Sequence, residues 1–277
     1  MKYKESSFEG FKGLKIYYQS WKPDTGKPKA CLLIIHGLAE HSGRYNNVVN
    51  ALVPVGYTVY AHDHRGHGKS EGERGYVASF SDFVEDVNIL RQIIQDQEQD
   101  VPLFILGHSM GSFIAQLYAV SYSEGLKGLI LSGSGVRTGE KVSKLLVIVS
   151  KIASKVAPKK TLDLELKNDI SRDPEVIKAY DEDPLVFKLT TFRLGAELLN
   201  AVSQTIKNAP KIQLPCLFQS GSEDKLITGV KDLYELFKVE DKTLKIYEGA
   251  WHEVYNELPD TRDLVFNDLR NWLDMHL

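Results

Sequence analysis

The sequence predicts an α/β fold, a mostly parallel central sheet with helices on both faces, interrupted once by a helical insertion. Short apolar runs alternate with helix-length amphipathic patterns, which is how parallel strands and their crossover helices read in sequence. The runs are CLLIIH (31–36), YTVYAH (57–62), PLFILG (102–107) and LKGLILSG (126–133), with helical patterns at about 42–55, 80–98 and 110–122. The alternation stops near Gly135 and resumes with PCLFQSG (215–221), a helix around 229–238, TLKIYEG (243–249) and a last helix from about 256. Residues 5–21 alternate polar and apolar around Gly10 and Gly13, which suggests an antiparallel hairpin at the sheet edge.

Residues 1–135 and 209–277 therefore form the predicted core, and 136–208 an insertion without a Gly/Ser-rich tract or repeat. Its first helix, about 140–157, carries Lys141, Lys144, Lys151 and Lys155 beside an apolar face of Val142, Leu145, Val149, Ile152 and Val156. The simpler reading is a cap helix with its lysines in water; contact with a membrane surface is the alternative.

With 277 residues, 43% of them apolar, the chain is long enough for one large domain with an insertion, and disorder is not expected. A net charge of -3 and a pI near 6.3 give no basic footprint for nucleic acid. Cys31 and Cys216 each open an apolar run and read as buried thiols, so no disulfide framework is implied. The N-terminal residues lack an uninterrupted apolar h-region, so no signal peptide is predicted and the cytoplasm is the default location. The longest apolar stretch considered, Leu145 to Val149, is far below the ~18 residues of a membrane span, which leaves only peripheral membrane contact.

The chemistry begins at Gly107-His108-Ser109-Met110-Gly111, a G-x-S-x-G between the apolar strand PLFIL and the helical run SFIAQLYAVSY. That context is a strand-to-helix elbow, with flanking glycines letting the turn close and the serine hydroxyl exposed. A serine needs a base to take its proton, and the base needs a carboxylate to hold its tautomer; in a fold with this elbow the chain order is Ser, acid, His. Only His252 and His276 follow Ser109; His276 is penultimate and reads as solvated, whereas His252 lies just after the strand TLKIYEG. The acid belongs in GSEDKLI (221–227), where Asp224 is favoured and Glu223 is the substitute; Asp63 precedes the serine and Asp181 falls in the insertion. The backbone N–H groups of Met110 and of Leu38, in His36-Gly37-Leu38, are the expected oxyanion donors.

Two other motifs compete. His62, His64 and His67 have the spacing of an H-x-H-x-x-H zinc-pair hydrolase, but Gly66 stands where that motif needs an aspartate. Gly68-Lys69-Ser70 resembles the end of a P-loop, yet Asp63 falls where the first glycine belongs.

Taken in order, HGLAEHSGRY (36–45), AHDHRGHGKSEGERGYV (61–77), LGHSMGSF (106–113), SGSEDKLI (220–227) and YEGAWHEVYNE (247–257) resemble the monoglyceride lipase and lysophospholipase branch of the α/β-hydrolases. The resemblance implies an α/β-hydrolase fold, a Ser109/Asp224/His252 triad with Leu38 and Met110 amides as oxyanion hole, and a mobile cap at about 136–208. It also implies a lipid ester as the small-molecule substrate, with monoacylglycerol ahead of lysophospholipid and short-chain esters, and no metal or organic cofactor. Ser109 argues against dehalogenase and epoxide hydrolase variants, which use an aspartate nucleophile. The intact triad argues against a binding protein without turnover. Ser112 departs from a glycine common in relatives and bears on local packing; Glu40, His41 and Arg44 either face the substrate head group or hold their own loop by an ion pair.

Overall fold

The computed structural model describes residues 1–138, 153–164 and 169–277. Eight strands form one sheet in the order β1-β2-β4-β3-β5-β6-β10-β12. They are β1 (Lys2–Glu9), β2 (Lys15–Lys22), β3 (Ala30–Ile35), β4 (Tyr57–His62), β5 (Leu103–His108), β6 (Leu126–Ser132), β10 (Cys216–Gly221) and β12 (Lys242–Tyr247); the two-residue β7 (Arg137–Thr138) and β11 (Ile227–Thr228) pair with each other outside it. β1 and β2 make the expected edge hairpin, Phe8 opposite Ile16, and β2 joins β4 antiparallel; every other pairing in the sheet is parallel.

The continuous apolar runs follow from this topology, because a strand covered on both faces has no polar side. Along β3, Cys31, Leu33 and Ile35 enter one core while Ala30, Leu32 and Ile34 enter the other. Leu103 and Ile105 of β5 and Cys216 and Phe218 of β10 join the first; Phe104, Leu106 and Leu217 join the second. Helices α2 (Ser81–Gln97) and α3 (Met110–Ser121) cover the first face; α1 (Asn46–Leu52) and the C-terminal helix Pro259–Met275 cover the second. The helix expected over 42–55 is broken into a 3-10 turn, α1 and a second 3-10 turn. Pro54 brings no N–H to the final turn, and Gly56 closes it at φ 100°.

The insertion is less uniformly helical than expected. Thr161–Asp163 (β8) pairs antiparallel with Leu189–Thr191 (β9), a ribbon favoured by the β-branched Thr161, Thr190 and Thr191. Helices follow at Pro174–Glu182 and Phe192–Asn208. Leu194, Ala201 and Val202 of the latter belong to the same core as Phe113 and Ala115 of α3. The amphipathic helix expected at 140–157 lies largely outside the described residues, Lys141, Lys144 and Lys151 with it; residues 153–156 are helical. Among the described residues no helix is long and apolar enough to cross a membrane. Cys31 and Cys216 are free and buried, as expected, and burial pushes the Cys31 thiol up to about 12.

Candidate active site

Only Ser109 separates β5 from α3, and it sits at φ 52°, ψ -121°, backbone that side-chain-bearing residues avoid at a cost of about 1–3 kcal/mol. The surroundings hold it there. Its N–H donates to Ser132 O (2.9 Å), and its carbonyl accepts from the Ser112 N–H (2.9 Å) and hydroxyl (2.7 Å). Ser112, the departure from glycine, is fully buried and also meets the Ser134 hydroxyl at 2.9 Å, so its side chain ties the elbow down. The flanking glycines are obligatory. A Cβ at Gly107 would lie 2.4 Å from the Gly111 carbonyl oxygen, and one at Gly111 would lie 2.0 Å from Ile35 O.

Two loops at the same carboxyl edge of the sheet carry Asp224, after β10, and His252, after β12. His252 Nδ1 lies 2.8 Å from Asp224 Oδ2, with both side chains buried. Asp224 Oδ1 accepts from the N–H groups of Leu226 and Ile227, at 2.9 and 3.0 Å, so the carboxylate orientation is set by backbone. Burial alone would push the His252 imidazole down; Asp224 overrides it, and the imidazole lies above its ordinary value. Burial would likewise raise Asp224, yet His252 and the two amide donors hold it below the usual carboxylate range. Glu223 is exposed beside it. His252 and Ser109 border the same turn: Ser109 N is bonded to Ser132 O, and a Cβ on the next residue, Gly133, would lie 2.8 Å from His252 Cε1. The His108 ring packs 4.8 Å from the His252 ring.

The loop after β3 closes the other side. A Cβ at Gly37 would lie 3.1 Å from Ser109 Cβ, so the backbone passes directly against the serine. His36 Nε2 accepts from His64 N (2.9 Å), which leaves the proton on Nδ1 to donate to Gly37 O (2.7 Å). Across the planar trans peptide, the Leu38 N–H then points opposite to that held carbonyl. Met110, first residue of α3, has one of the helix N-terminal N–H groups that lack an intrahelical acceptor.

Glu40, His41 and Arg44 take the ion-pair role of the two open to them. Glu40 Oε1 accepts from Gly37 N (2.6 Å) and Tyr45 OH (2.8 Å), and Arg44 Nη1 donates to Glu40 Oε2 (2.9 Å). His41 Nε2 meets Asp183 of the insertion at 2.9 Å, and Phe187 N donates to Ala39 O (3.2 Å). Arg44 also grips Glu253, a residue that sequence reasoning missed; its adjacency to His252 was the available signal. His276 is not simply solvated as expected. It stacks on Trp272 at 4.1 Å and lies 3.1 Å from Asp241, which precedes the N-terminal end of β12, whereas His252 follows the C-terminal end of that strand. Asp63, set aside as the acid, binds Ser42 and Lys69 N–H groups, and Asp181 pairs with Lys188.

The H-x-H-x-x-H run is buried. His36, His62, His64 and His67 are fully enclosed, with the His36 and His64 rings 3.9 Å apart. Among the described residues no group of three or more His, Cys, Asp or Glu is arranged to hold a metal ion. Burial is the main cause that drives His62 down to about 3 and His67 to about 4, with His36 and His64 well below their ordinary value. Since the unfolded chain binds protons at these positions below about pH 6.5 and the folded chain does not, stability is lost as pH falls from there toward about 4. Each such histidine contributes up to ~1.4 kcal/mol per pH unit. The melting temperature is expected to fall steadily over that range and to fall less steeply in His62→Leu; a melting temperature indifferent to pH would contradict this.

A parallel sheet of this order, with a strained serine elbow at one strand end and a bonded His–Asp pair at two others, defines an α/β-hydrolase. A family model described as serine aminopeptidase, S33, matches residues 26–259. A monoacylglycerol lipase of Mycolicibacterium smegmatis is 38% identical over 99% of this chain and 98% of its own length. The Homo sapiens monoglyceride lipase is 38% identical over 94% of this chain and 87% of its own. The crystal structure of Paleococcus ferrophilus monoacylglycerol lipase superposes with a TM-score of 0.84 at 30% identity, covering 95% of this chain and 99% of that one. The chain belongs to this serine hydrolase family, in the branch that contains the monoacylglycerol lipases, as the five sequence blocks implied.

Proposed function

We propose that the chain hydrolyses monoacylglycerol to fatty acid and glycerol through an acyl-enzyme on Ser109. The observation that carries this reading is the 2.8 Å bond between His252 Nδ1 and Asp224, which leaves Nε2 as the base, beside a serine presented by a strained elbow. His252 takes the Ser109 proton as Oγ attacks the ester carbonyl, then returns it to the departing alcohol. Water, deprotonated by the same imidazole, then releases the fatty acid. The Leu38 and Met110 N–H groups are the proposed donors to the tetrahedral oxyanion, consistent with the close approach of the Gly37 backbone to Ser109. The monoacylglycerol assignment draws on the named activity of the two relatives 38% identical to this chain.

Residues 136–208 act in this reading as a cap over the site, a role supported by the Asp183 and Phe187 contacts to the oxyanion loop. The cap is also the proposed place of peripheral membrane contact, because Val156, Leu162 and Leu189 are exposed on it near exposed Lys155 and Lys160.

The test is fatty-acid release from monoacylglycerol, lysophosphatidylcholine, triacylglycerol and a short-chain ester, the lipids presented in vesicles. Monoacylglycerol is expected to be cleaved fastest, with protein pelleting with the vesicles. Preference for lysophosphatidylcholine, or cleavage of the short ester alone, would replace the substrate assignment; protein that stays in the supernatant would remove the membrane contact.

A further inference from the structure

Arg44 stands between the two loops on which the proposed chemistry depends. Its Nη1 and Nη2 donate to Glu253 Oε1 and Oε2, both at 2.7 Å, and Nη1 also donates to Glu40 Oε2 at 2.9 Å. Glu253 directly follows His252, and its carboxylate also accepts from Asn256 Nδ2 (2.9 Å). Glu40 reaches the other way, accepting the Gly37 N–H on Oε1 at 2.6 Å. All three side chains are below 10% exposed. The guanidinium face is covered by the ring of Tyr180, from the insertion, at 4.7 Å, and Glu253 N donates to Ile170 O (2.8 Å). A run of bonds therefore leads from the Gly37 amide through Glu40, Arg44 and Glu253 to the backbone of the base, bridging residues 209 apart in sequence.

From this we infer that Arg44 and Glu253 are positioning residues, fixing the oxyanion loop and the His252 loop at one separation so that serine, base and oxyanion donors are held together. The inference rests on the Ser109/His252 reading. A planar guanidinium forked onto a carboxylate is a geometric constraint as well as a charge pair. Such a constraint matters here because a misplacement of ~1 Å between reacting groups costs about 100-fold in rate.

Charge adds a second signature. The groups acting on the His252 imidazole are Asp224 from the acid loop, Glu253 from its own loop and Glu40 from the oxyanion loop; the His108 ring, from the end of β5, packs against it at 4.8 Å and is itself opposed in charging by Arg44. The three carboxylates favour the imidazolium, against burial, which opposes it. Loss of the Glu253 charge lowers the imidazole affinity for a proton, so the base stays free to lower pH.

The experiment compares wild type, Glu253→Gln, Glu253→Asp and Ser109→Ala on a soluble p-nitrophenyl ester, recording kcat, KM and the pH profile of kcat/KM, with melting temperatures alongside. Glu253→Gln, isosteric but neutral, is expected to lose ~10- to 100-fold in kcat with KM little changed, and its acid limb is expected to move to lower pH. Glu253→Asp keeps the charge but is one methylene shorter, so its carboxylate falls short of the guanidinium fork that Glu253 meets at 2.7 Å; its acid limb is expected to stay while kcat falls. If both variants lower only the melting temperature and leave kcat and the acid limb at wild-type values, the bridge is merely structural and the inference fails. An inactive Ser109→Ala beside wild-type-like Glu253 variants overturns this inference alone. An active Ser109→Ala overturns the triad reading on which it rests.

Discussion

Ser109→Ala is expected to lower kcat by roughly 10⁵- to 10⁶-fold while leaving the protein folded and able to bind substrate. The elbow does not depend on the hydroxyl, because it is held by Ser109 backbone groups bonded to Ser132 and Ser112. Alanine keeps the Cβ that already tolerates φ 52° and the approach of Gly37, so no new clash arises. What disappears is the only protein atom in this reading that forms a bond to the acyl carbon. The check is steady-state hydrolysis of a soluble ester with a fluorophosphonate labelling assay, in which wild type is labelled and the variant is not. A variant that turns over within tenfold of wild type would remove Ser109 from the chemistry.

Asp224→Asn is the second large effect, about 10⁴-fold in kcat, and here the structure explains why a near-isosteric change is so damaging. One carboxylate oxygen is committed to two backbone donors, Leu226 N and Ile227 N. In the variant the amide oxygen takes that place, since an NH₂ would face two N–H groups. The amide NH₂ is then turned toward His252 Nδ1, which must become an acceptor, and the proton moves to Nε2. An imidazole protonated at Nε2 cannot accept from Ser109. The pH dependence should change as well. In wild type the acid limb of kcat/KM is expected to have its midpoint above the ordinary histidine value of about 6.5, because Asp224 outweighs burial at His252. The residual activity of the variant is expected to have its midpoint lower, with the carboxylate charge gone. A variant with full kcat and the wild-type midpoint would show that Asp224 does not orient the base.

Much of this arrangement is legible without coordinates because its requirements are local. A turn that admits no Cβ at Gly107 or Gly111 leaves glycines at fixed spacing about the serine, and strands covered on both faces leave unbroken apolar runs. The preference for Asp224 over Glu223 draws on the short turn after β10, and burial separates the two, Asp224 enclosed and Glu223 exposed. Chain order and strand ends are thus properties of segments a few residues long, and such segments carry them in their own composition.

Of the Glu40–Arg44–Glu253 bridge only the local Glu40–Arg44 pair, four residues apart, leaves such a trace; its extension across to Glu253 does not. Each member is a charged residue in a loop, and a charge in a loop ordinarily faces water; only the packing of two distant loops and Tyr180 removes that water and makes the pairing obligatory. The same holds for the β8–β9 ribbon, whose three-residue strands are too short to show periodicity, and for the buried histidines, where a spacing suited to metal ligation is instead absorbed by packing against His36 and Phe83. Sequence by itself determined the sheet, the elbow and the candidate nucleophile, acid and base, because backbone geometry and strand burial act over neighbouring residues. Tertiary structure alone decided which charges are buried together and how the insertion meets the oxyanion loop, because those contacts depend on which loops the completed sheet brings within reach of one another.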